Sequence, residues 1–308
     1  MSARPLLTLD IGTRKVAGLV TAPGPRGLKI IAAEVMEHAT RAMLDGQIHD
    51  VAAVADVVAR IVARLEKRTG ETLREVAVAA AGRALRTVRG RADRQLSGLT
   101  QLTADEVFSL ELEAVQAAQG ALSEVLREGE RPQDYHYVGH SVTRCLLDGF
   151  PLGNLVGQRG TDAQVEVIAT FLPRGVVDSL QSVLEACNLE MVALTLEPIA
   201  ALSVAVPESM RHLNLALVDI GAGTSDIALT ARGAVLAYDM VPIAGDEITE
   251  ALSETFLLDF KVGEAVKRKT GTSDSVRFTD ILGQTLVKTR AELIEAMQPA
   301  ARRLAEQI

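Results

Sequence analysis

Apolar residues fall in two rhythms along this chain, one of period two and one of three to four. Short apolar runs at Leu6–Leu9, Lys15–Thr21 and Leu28–Val35 predict three strands, with "APGPRG" (Ala22–Gly27) as a turn. After Asp50 the spacing lengthens. Val51, Val54, Val58, Ile61 and Leu65 recur at steps of three and four, which places them on one stripe of a helix that Gly70 ends. "EVAVAAAG" (Glu75–Gly82) then reads as a short buried strand.

The same order returns in the second half. Leu213–Asp219, Asp226–Thr230 and Ala234–Pro242 predict strands, and a helix follows from near Asp246 with Ile248, Leu252, Thr255 and Phe256 facing inward. Two diverged copies of one α/β unit account for the repetition. Between them lies a different pattern. An arginine-rich stretch, Arg83–Arg94, precedes a capping box at Thr103–Glu106. The helix it opens carries Val107, Leu110, Ala114, Ala118, Leu122 and Val125. A polar linker, Arg127–Asp134, leads to strands at Tyr135–Leu147 and Ala163–Thr170. Pro173 then starts a helix, Met191–Thr195 forms a strand, and Glu197-Pro198 opens another helix, a place where the missing proline N–H costs nothing. From Thr279 the pattern is helical, with Pro299 expected to kink or end it.

These patterns divide the chain into a first α/β lobe at 1–82 and 163–210, interrupted by an α+β insertion at 83–162. A second lobe occupies 211–247, and a helical and strand unit follows at 248–308. Composition supports a well-filled interior: 308 residues with 48% hydrophobic and 3% aromatic content give an aliphatic core. A formal net charge of -8 argues against nonspecific binding to nucleic acid. Cys145 and Cys187 lack metal-type spacing and read as buried free thiols of a reducing compartment. No apolar run reaches the roughly 20 residues that span a bilayer. The expected location is the cytoplasm, with at most a peripheral position at the membrane.

The candidate chemistry lies in two matching turns. "LDIGTRK" and "LVDIGAGTS" each run an apolar strand, built for burial, into a carboxylate and then into a side-chain-poor bend. Glycines there let backbone N–H groups approach an anion. Gly221–Ser225 adds the hydroxyls of Thr224 and Ser225, and Gly12–Lys15 adds one hydroxyl and two cations. A carboxylate beside a phosphate needs a cation between them. Asp10 and Asp219 therefore imply Mg²⁺ held through water, since that ion dehydrates reluctantly. Two such hairpins facing each other would grip a polyphosphate from both sides. One turn of this kind alone is an ordinary hairpin. Neither the P-loop nor the G-x-G-x-x-G pattern occurs in the sequence.

These two turns resemble the first and second phosphate motifs of the actin-like ATPases. "LEPIAALSVAV" (Leu196–Val206) is similar to their connecting helix, and "GEAVKRKTG" (Gly263–Gly271) to the helix that contacts ribose and adenine. "LTADEVFSLELEAVQAA", "DYHYVGHSVTRCLLDGFPLGNLVG" and "VIATFLPRGVVDSLQSVLEACNLEMVALTLEP" resemble the bacterial cell-division family FtsA. The resemblance implies an actin-like fold of two ribonuclease-H-like lobes (1A and 2A, the latter followed by 2B) with an FtsA-type 1C insertion in the first. It implies ATP and Mg²⁺ as ligands. Asp10, Gly12, Thr13 and Lys15 would form the first phosphate loop. Asp219, Gly221, Gly223 and Thr224 would form the second, with Gly245 at the phosphates.

Glu197 matches the position that orients an attacking water, and equally fits an acidic helix start beside Pro198. Glu264 and Lys267 match nucleotide-contacting positions, and equally fit a solvated i, i+3 pair. The resemblance further implies a head-to-tail filament, recruitment of the tubulin-like FtsZ, and ATP as an assembly ligand with at most weak hydrolysis. The pilus-assembly adaptor PilM shares the architecture and is the alternative. A sugar kinase would need a catalytic Asp and a sugar pocket, for which no candidate is visible. The family's Gly-Gly adenine loop has no counterpart here, since no two of the 24 glycines adjoin, and the family's amphipathic membrane-targeting tail is not expected in this chain either. The second lobe is therefore expected to lack its closing strands and helices. The arginines at 83, 86, 89, 91 and 94 fit either an interaction surface or a solvated strand face.

Overall fold

The computed structural model describes residues 5–24, 27–80, 84–210, 213–231 and 234–308. The middle of the Ala22–Gly27 turn, the end of the strand expected at Glu75–Gly82, and Arg83 lie outside them. The first lobe is a mixed five-stranded sheet. Strands β1 (Leu6–Ile11), β2 (Lys15–Gly24) and β3 (Gly27–Glu37) form an antiparallel meander. A small hairpin, β4 (Met43–Leu44) and β5 (Gln47–Ile48), comes before helix α1 (Val51–Thr69). Asp50 caps α1 by accepting from the Ala53 amide, and Gly70 closes it, as the sequence pattern predicts. Strand β6 (Glu75–Ala80) then runs parallel to β1. The core of this lobe joins Leu7, Leu9, Val16 and Val20 of the meander to Val54, Val58, Ile61 and Leu65 of α1.

The insertion has its own sheet and its own core. Strand β7 (Arg86–Gln101) leads to helix α2 (Ala104–Gly120), whose capping box between Thr103 and Glu106 is formed in both directions. Strands β8 (Tyr135–Leu147), β9 (Phe150–Leu152) and β10 (Arg159–Pro173) complete an antiparallel sheet in the order β7-β10-β8-β9. Strand β10 is bonded along both edges, to β7 and to β8. The segment 163–173, assigned from sequence to the first lobe, is thus the central strand of the inserted sheet. Helix α2 also ends earlier than its apolar spacing suggests. Leu122 is buried in a separate 3₁₀ turn, and Val125 is exposed. Three of the four arginines of β7 form ion pairs on this unit: Arg86 with Glu130, Arg91 with Asp93, and Arg94 with Glu113. Cys145 is buried, Cys187 is half-buried, and both are free thiols.

Helix α3 (Arg174–Ala186) returns the chain to the first lobe and packs beside α1. Strand β11 (Glu190–Leu196) adds to β6 in parallel, giving the sheet order β11-β6-β1-β2-β3. Helix α4 (Glu197–Ala205) crosses to the second lobe. There β12 (Leu215–Ile220), β13 (Ser225–Ala231) and β14 (Ala234–Val241) repeat the antiparallel meander, followed by α5 (Gly245–Phe256) and α6 (Phe260–Thr270).

Three sequence expectations change here. Strand β12, apolar on both faces and expected to be buried, is an edge strand with Val218 and Ile220 exposed. On α5 the inward polar residue is Thr249 rather than Thr255, which faces solvent. The stretch after Thr279 is not continuous helix. Strands β15 (Ser275–Thr279) and β16 (Thr285–Thr289) form an antiparallel hairpin, with burial alternating along Thr285 to Thr289. Helix α7 (Arg290–Gln307) starts at a Thr289–Glu292 capping box and runs on through Pro299, with Ala300 and Leu304 still buried beyond it. Among the described residues no helix is long and apolar enough to cross a membrane.

One close approach fixes the insertion. A methyl group on Gly90 of β7 would lie 1.9 Å from the Ala114 carbonyl oxygen and 2.8 Å from the Ala118 amide nitrogen. Strand and helix therefore touch backbone to backbone. Gly90→Ala is expected to destabilise the protein by about 3 kcal/mol or more through overpacking, read as a lower urea midpoint at unchanged slope.

Candidate nucleotide-binding site between the lobes

The two turns noted in the sequence have one geometry. In the first, Ile11 pairs with Val16, and the Gly12 amide donates to the Lys15 carbonyl at 3.0 Å. In the second, Ile220 pairs with Ser225, and the Gly221 amide donates to the Thr224 carbonyl at 2.9 Å. Each connection has the same length, the same closing bond and an aspartate one residue before the last strand pair. The register sets Asp10 opposite Ala17 and Asp219 opposite Asp226.

The turns meet. A methyl group on Gly223 would lie 2.9 Å from Thr13 Cγ2, 3.1 Å from Thr13 Oγ1 and 3.0 Å from the Asp45 amide nitrogen. Only glycine allows this approach. A third turn joins them from the β4–β5 hairpin, where the Gly46 amide donates to Thr13 Oγ1 at 3.2 Å. The start of α5 docks on the second turn as well. The Gly245 and Asp246 amides donate to the Gly221 and Ala222 carbonyls, at 3.2 and 2.7 Å.

Carboxylates crowd behind the turns. Burial pushes the Glu197 carboxyl well above the ordinary carboxylate range, and the charges of Asp10, Asp226 and Asp219 push it further. Among the described residues Glu197 Oε1, which is buried, has no hydrogen-bond partner. Asp10 is raised by its protein surroundings; Lys15 opposes the shift and Asp219 adds to it. Asp226 is 2% exposed. Among the described residues no cluster of three or more His, Cys, Asp or Glu side chains converges on a metal-sized point. Asp10 and Asp219 stand one residue before the ends of the two strands whose turns meet.

On the other side, α6 is tied to α5. Lys267 Nζ donates to the Gly245 carbonyl and to Thr249 Oγ1, both at 2.7 Å, and pairs with Glu264 at 2.7 Å. Glu264 also accepts from Thr249 Oγ1 at 2.6 Å and from Arg268 Nε at 2.8 Å. Burial alone would raise its carboxyl; hydrogen bonds from Lys267, Thr249 and Arg268 bring it down to about 2.

The structure thus brings the sequence-predicted residues together. Asp10, Gly12, Thr13 and Lys15 stand on one turn. Asp219, Gly221, Gly223 and Thr224 stand on the other. Glu197 lies behind both, and Gly245, Glu264 and Lys267 flank the second. The sequence reading missed Asp226, Asp246 and the Asp45–Gly46 turn. Asp226 had a legible signal, a carboxylate directly before the apolar run Ile227–Leu229.

A profile of the family described as Cell division protein FtsA matches residues 216–290. The FtsA of Pseudomonas aeruginosa is 24% identical over 275 residues, covering 86% of this chain and 61% of that protein. The chain is FtsA-like. Other bacterial FtsA proteins, including that of Escherichia coli, match at 21–26% identity over most of the chain. This FtsA-like chain spans about three fifths of the length of the curated relatives it matches. Its fold is actin-like. The PilM–PilN type IV pilus biogenesis complex superposes with a TM-score of 0.68 at 18% identity, covering 98% of this chain and 74% of that one. MreB5 of Spiroplasma citri bound to ADP gives 0.51 at 15% identity, covering 99% and 77%.

Glu197 has a pH signature. A carboxyl whose folded pKa is raised contributes stability fully present below its unfolded pKa and lost as pH rises through the folded value. Glu197→Gln fixes the proton-bearing shape. It is expected to raise the melting temperature at about pH 8 and to match wild type near pH 4, close to the unfolded carboxylate pKa. An equal offset at both pH values would show that Glu197 does not titrate in this range.

Proposed function

We propose that this FtsA-like chain is a nucleotide-dependent adaptor of bacterial cell division that binds Mg-ATP between its lobes. The observation that carries the reading is the pair of equivalent turns packed against each other over a group of carboxylates. Backbone N–H groups in such bends favour phosphate oxygens. The carboxylates behind them need a cation, and the buried, unpartnered Glu197 oxygen marks a polar space for one. Asp10 and Asp219 would hold Mg²⁺ through water, which suits an ion that keeps much of its hydration. Bound magnesium would neutralise phosphate charge beside these aspartates. Thr13, Lys15, Thr224 and the Gly223 amide would position the polyphosphate, and Gly12 and Gly221, whose amides close the turns, would shape the bends around it. Gly245, Glu264 and Lys267 would form the wall nearest the nucleoside, and Glu197 would orient a water.

In this reading ATP sets lobe geometry for assembly more than it serves as a substrate. The partners are further copies of the chain, in a head-to-tail filament, and FtsZ. The protein would act in the cytoplasm, at the inner face of the membrane. The binding claim has a direct test. Asp219 stands on an exposed edge strand, so Asp219→Ala is expected to leave the fold intact and weaken labelled ATP binding about tenfold or more, or about 1.4 kcal/mol. Equal binding by variant and wild type, or no binding by wild type, overturns it.

The fit to the PilM–PilN complex favours a second reading, a pilus-assembly adaptor with a PilN-type partner. Co-sedimentation separates the two. The division reading expects this chain to pellet with FtsZ polymers; retention on immobilised PilN with no FtsZ association reverses the order.

A further inference from the structure

The cleft between the lobes holds a feature that the proposed nucleotide site does not use. Arg14, the central residue of the first turn, reaches across to the second lobe. Its guanidinium pairs with Asp246 at the start of α5 and, at 2.9 Å, with Glu264 of α6. It also lies over the Phe260 ring, 5.3 Å from the centroid. Two further ion pairs cross the same gap, Arg41 with Glu250 at 2.8 Å and Arg268 with Glu37 at 3.1 Å. These outer pairs stand in water, with side chains 43–57% exposed, so each contributes little. The Arg14 side chain is 18% exposed, Asp246 9% and Glu264 14%. In that shielded setting a guanidinium shared by two carboxylates is a strong tie, and removing one member leaves charge uncompensated. A cavity of about 610 Å³, lined by Arg14, His38, Arg41, Phe260 and Glu264 among others, opens beside it.

We propose that Arg14 is an interlobe clasp: it holds the two lobes closed through Asp246 and Glu264, and releases them when a polyphosphate takes its guanidinium. The exchange half of this statement rests on the nucleotide reading above; the closure half does not. The same turn that offers amides to phosphate carries the clasp. A phosphate group matches the forked guanidinium as well as a carboxylate does and brings more charge. Nucleotide entry therefore trades an Arg–carboxylate bridge for an Arg–phosphate bridge. Glu264, meanwhile, keeps Lys267, Arg268 and Thr249 and stays fixed on α6.

Hydrogen–deuterium exchange on the full chain without nucleotide tests closure. Arg14→Ala is expected to speed exchange about tenfold in the first turn (residues 9–16) and at the start of α5 (residues 245–250), while leaving α2 of the insertion unchanged. Glu250→Ala, which breaks an exposed pair, is expected to change neither. Arg14→Lys keeps the charge without the fork, so it is expected to fall between. It also decides the matter if Arg14→Ala does not fold. Wild-type exchange in Arg14→Lys and Arg14→Ala, or an equal rise in Glu250→Ala, overturns the clasp. Stopped-flow release of a fluorescent ATP analogue tests the exchange. Asp246→Asn, which removes one of the two carboxylates that hold Arg14, is expected to slow release about tenfold, and an unchanged or faster rate overturns the exchange step. Absence of any ATP binding by wild type rejects the nucleotide reading and the exchange step together, and the nucleotide-free measurement still judges closure.

Discussion

The architecture of this protein turns on the contact between Gly223 and Thr13. Two strands that end in aspartates can share one cleft only if their bends come within van der Waals distance. A side chain at 223 would occupy the space that Thr13 and the Asp45 amide fill. The contact sets the spacing of Asp10, Asp219 and Glu197, and hence the unfavourable charge stored between the lobes. The Gly46 amide then fixes the Thr13 hydroxyl as an acceptor on one side. Its proton is left to point elsewhere.

Charge is distributed unevenly across the cleft. Behind the turns, carboxylates face one another with few cations among them. In front, Arg14, Lys267 and Arg268 saturate Glu264 and Asp246. One region calls for a cation, and the other already has its cations paired. A ligand combining a metal ion with an anionic chain answers both conditions, the metal going to the carboxylates and the anion to the amides and the guanidinium. The outer ion pairs, about half exposed to water, add orientation more than energy.

The insertion follows a separate logic. Its core, built on Val165, Val167, Ala169 and Phe171 of β10 with Leu110, Ala114 and Ala118 of α2, shares no buried residue with the first-lobe core. A hydrogen bond between the hydroxyls of Ser141 and Tyr238, at 2.9 Å, links its strand β8 to β14 of the second lobe. This bond ties the insertion to the lobe that carries the second turn.

By itself the sequence determined the elements and their chemistry. Helix α1, with its Asp50 cap, its four-step stripe and its Gly70 stop, was legible because each signal is local. The duplicated strand–aspartate–glycine bends were legible for the same reason, and they identified the residues of the cleft. Tertiary structure alone decided which strands are neighbours. β10 could pair with either sheet by its pattern, and only long-range hydrogen bonds placed it between β7 and β8. The burial of β12 was overestimated because an apolar run states what a strand can bury, not whether a neighbour covers it. Arg14 shows the same limit. Its sequence neighbours mark it as one of two cations on a turn, and its partners lie 232 and 250 positions away, a separation that only folding closes.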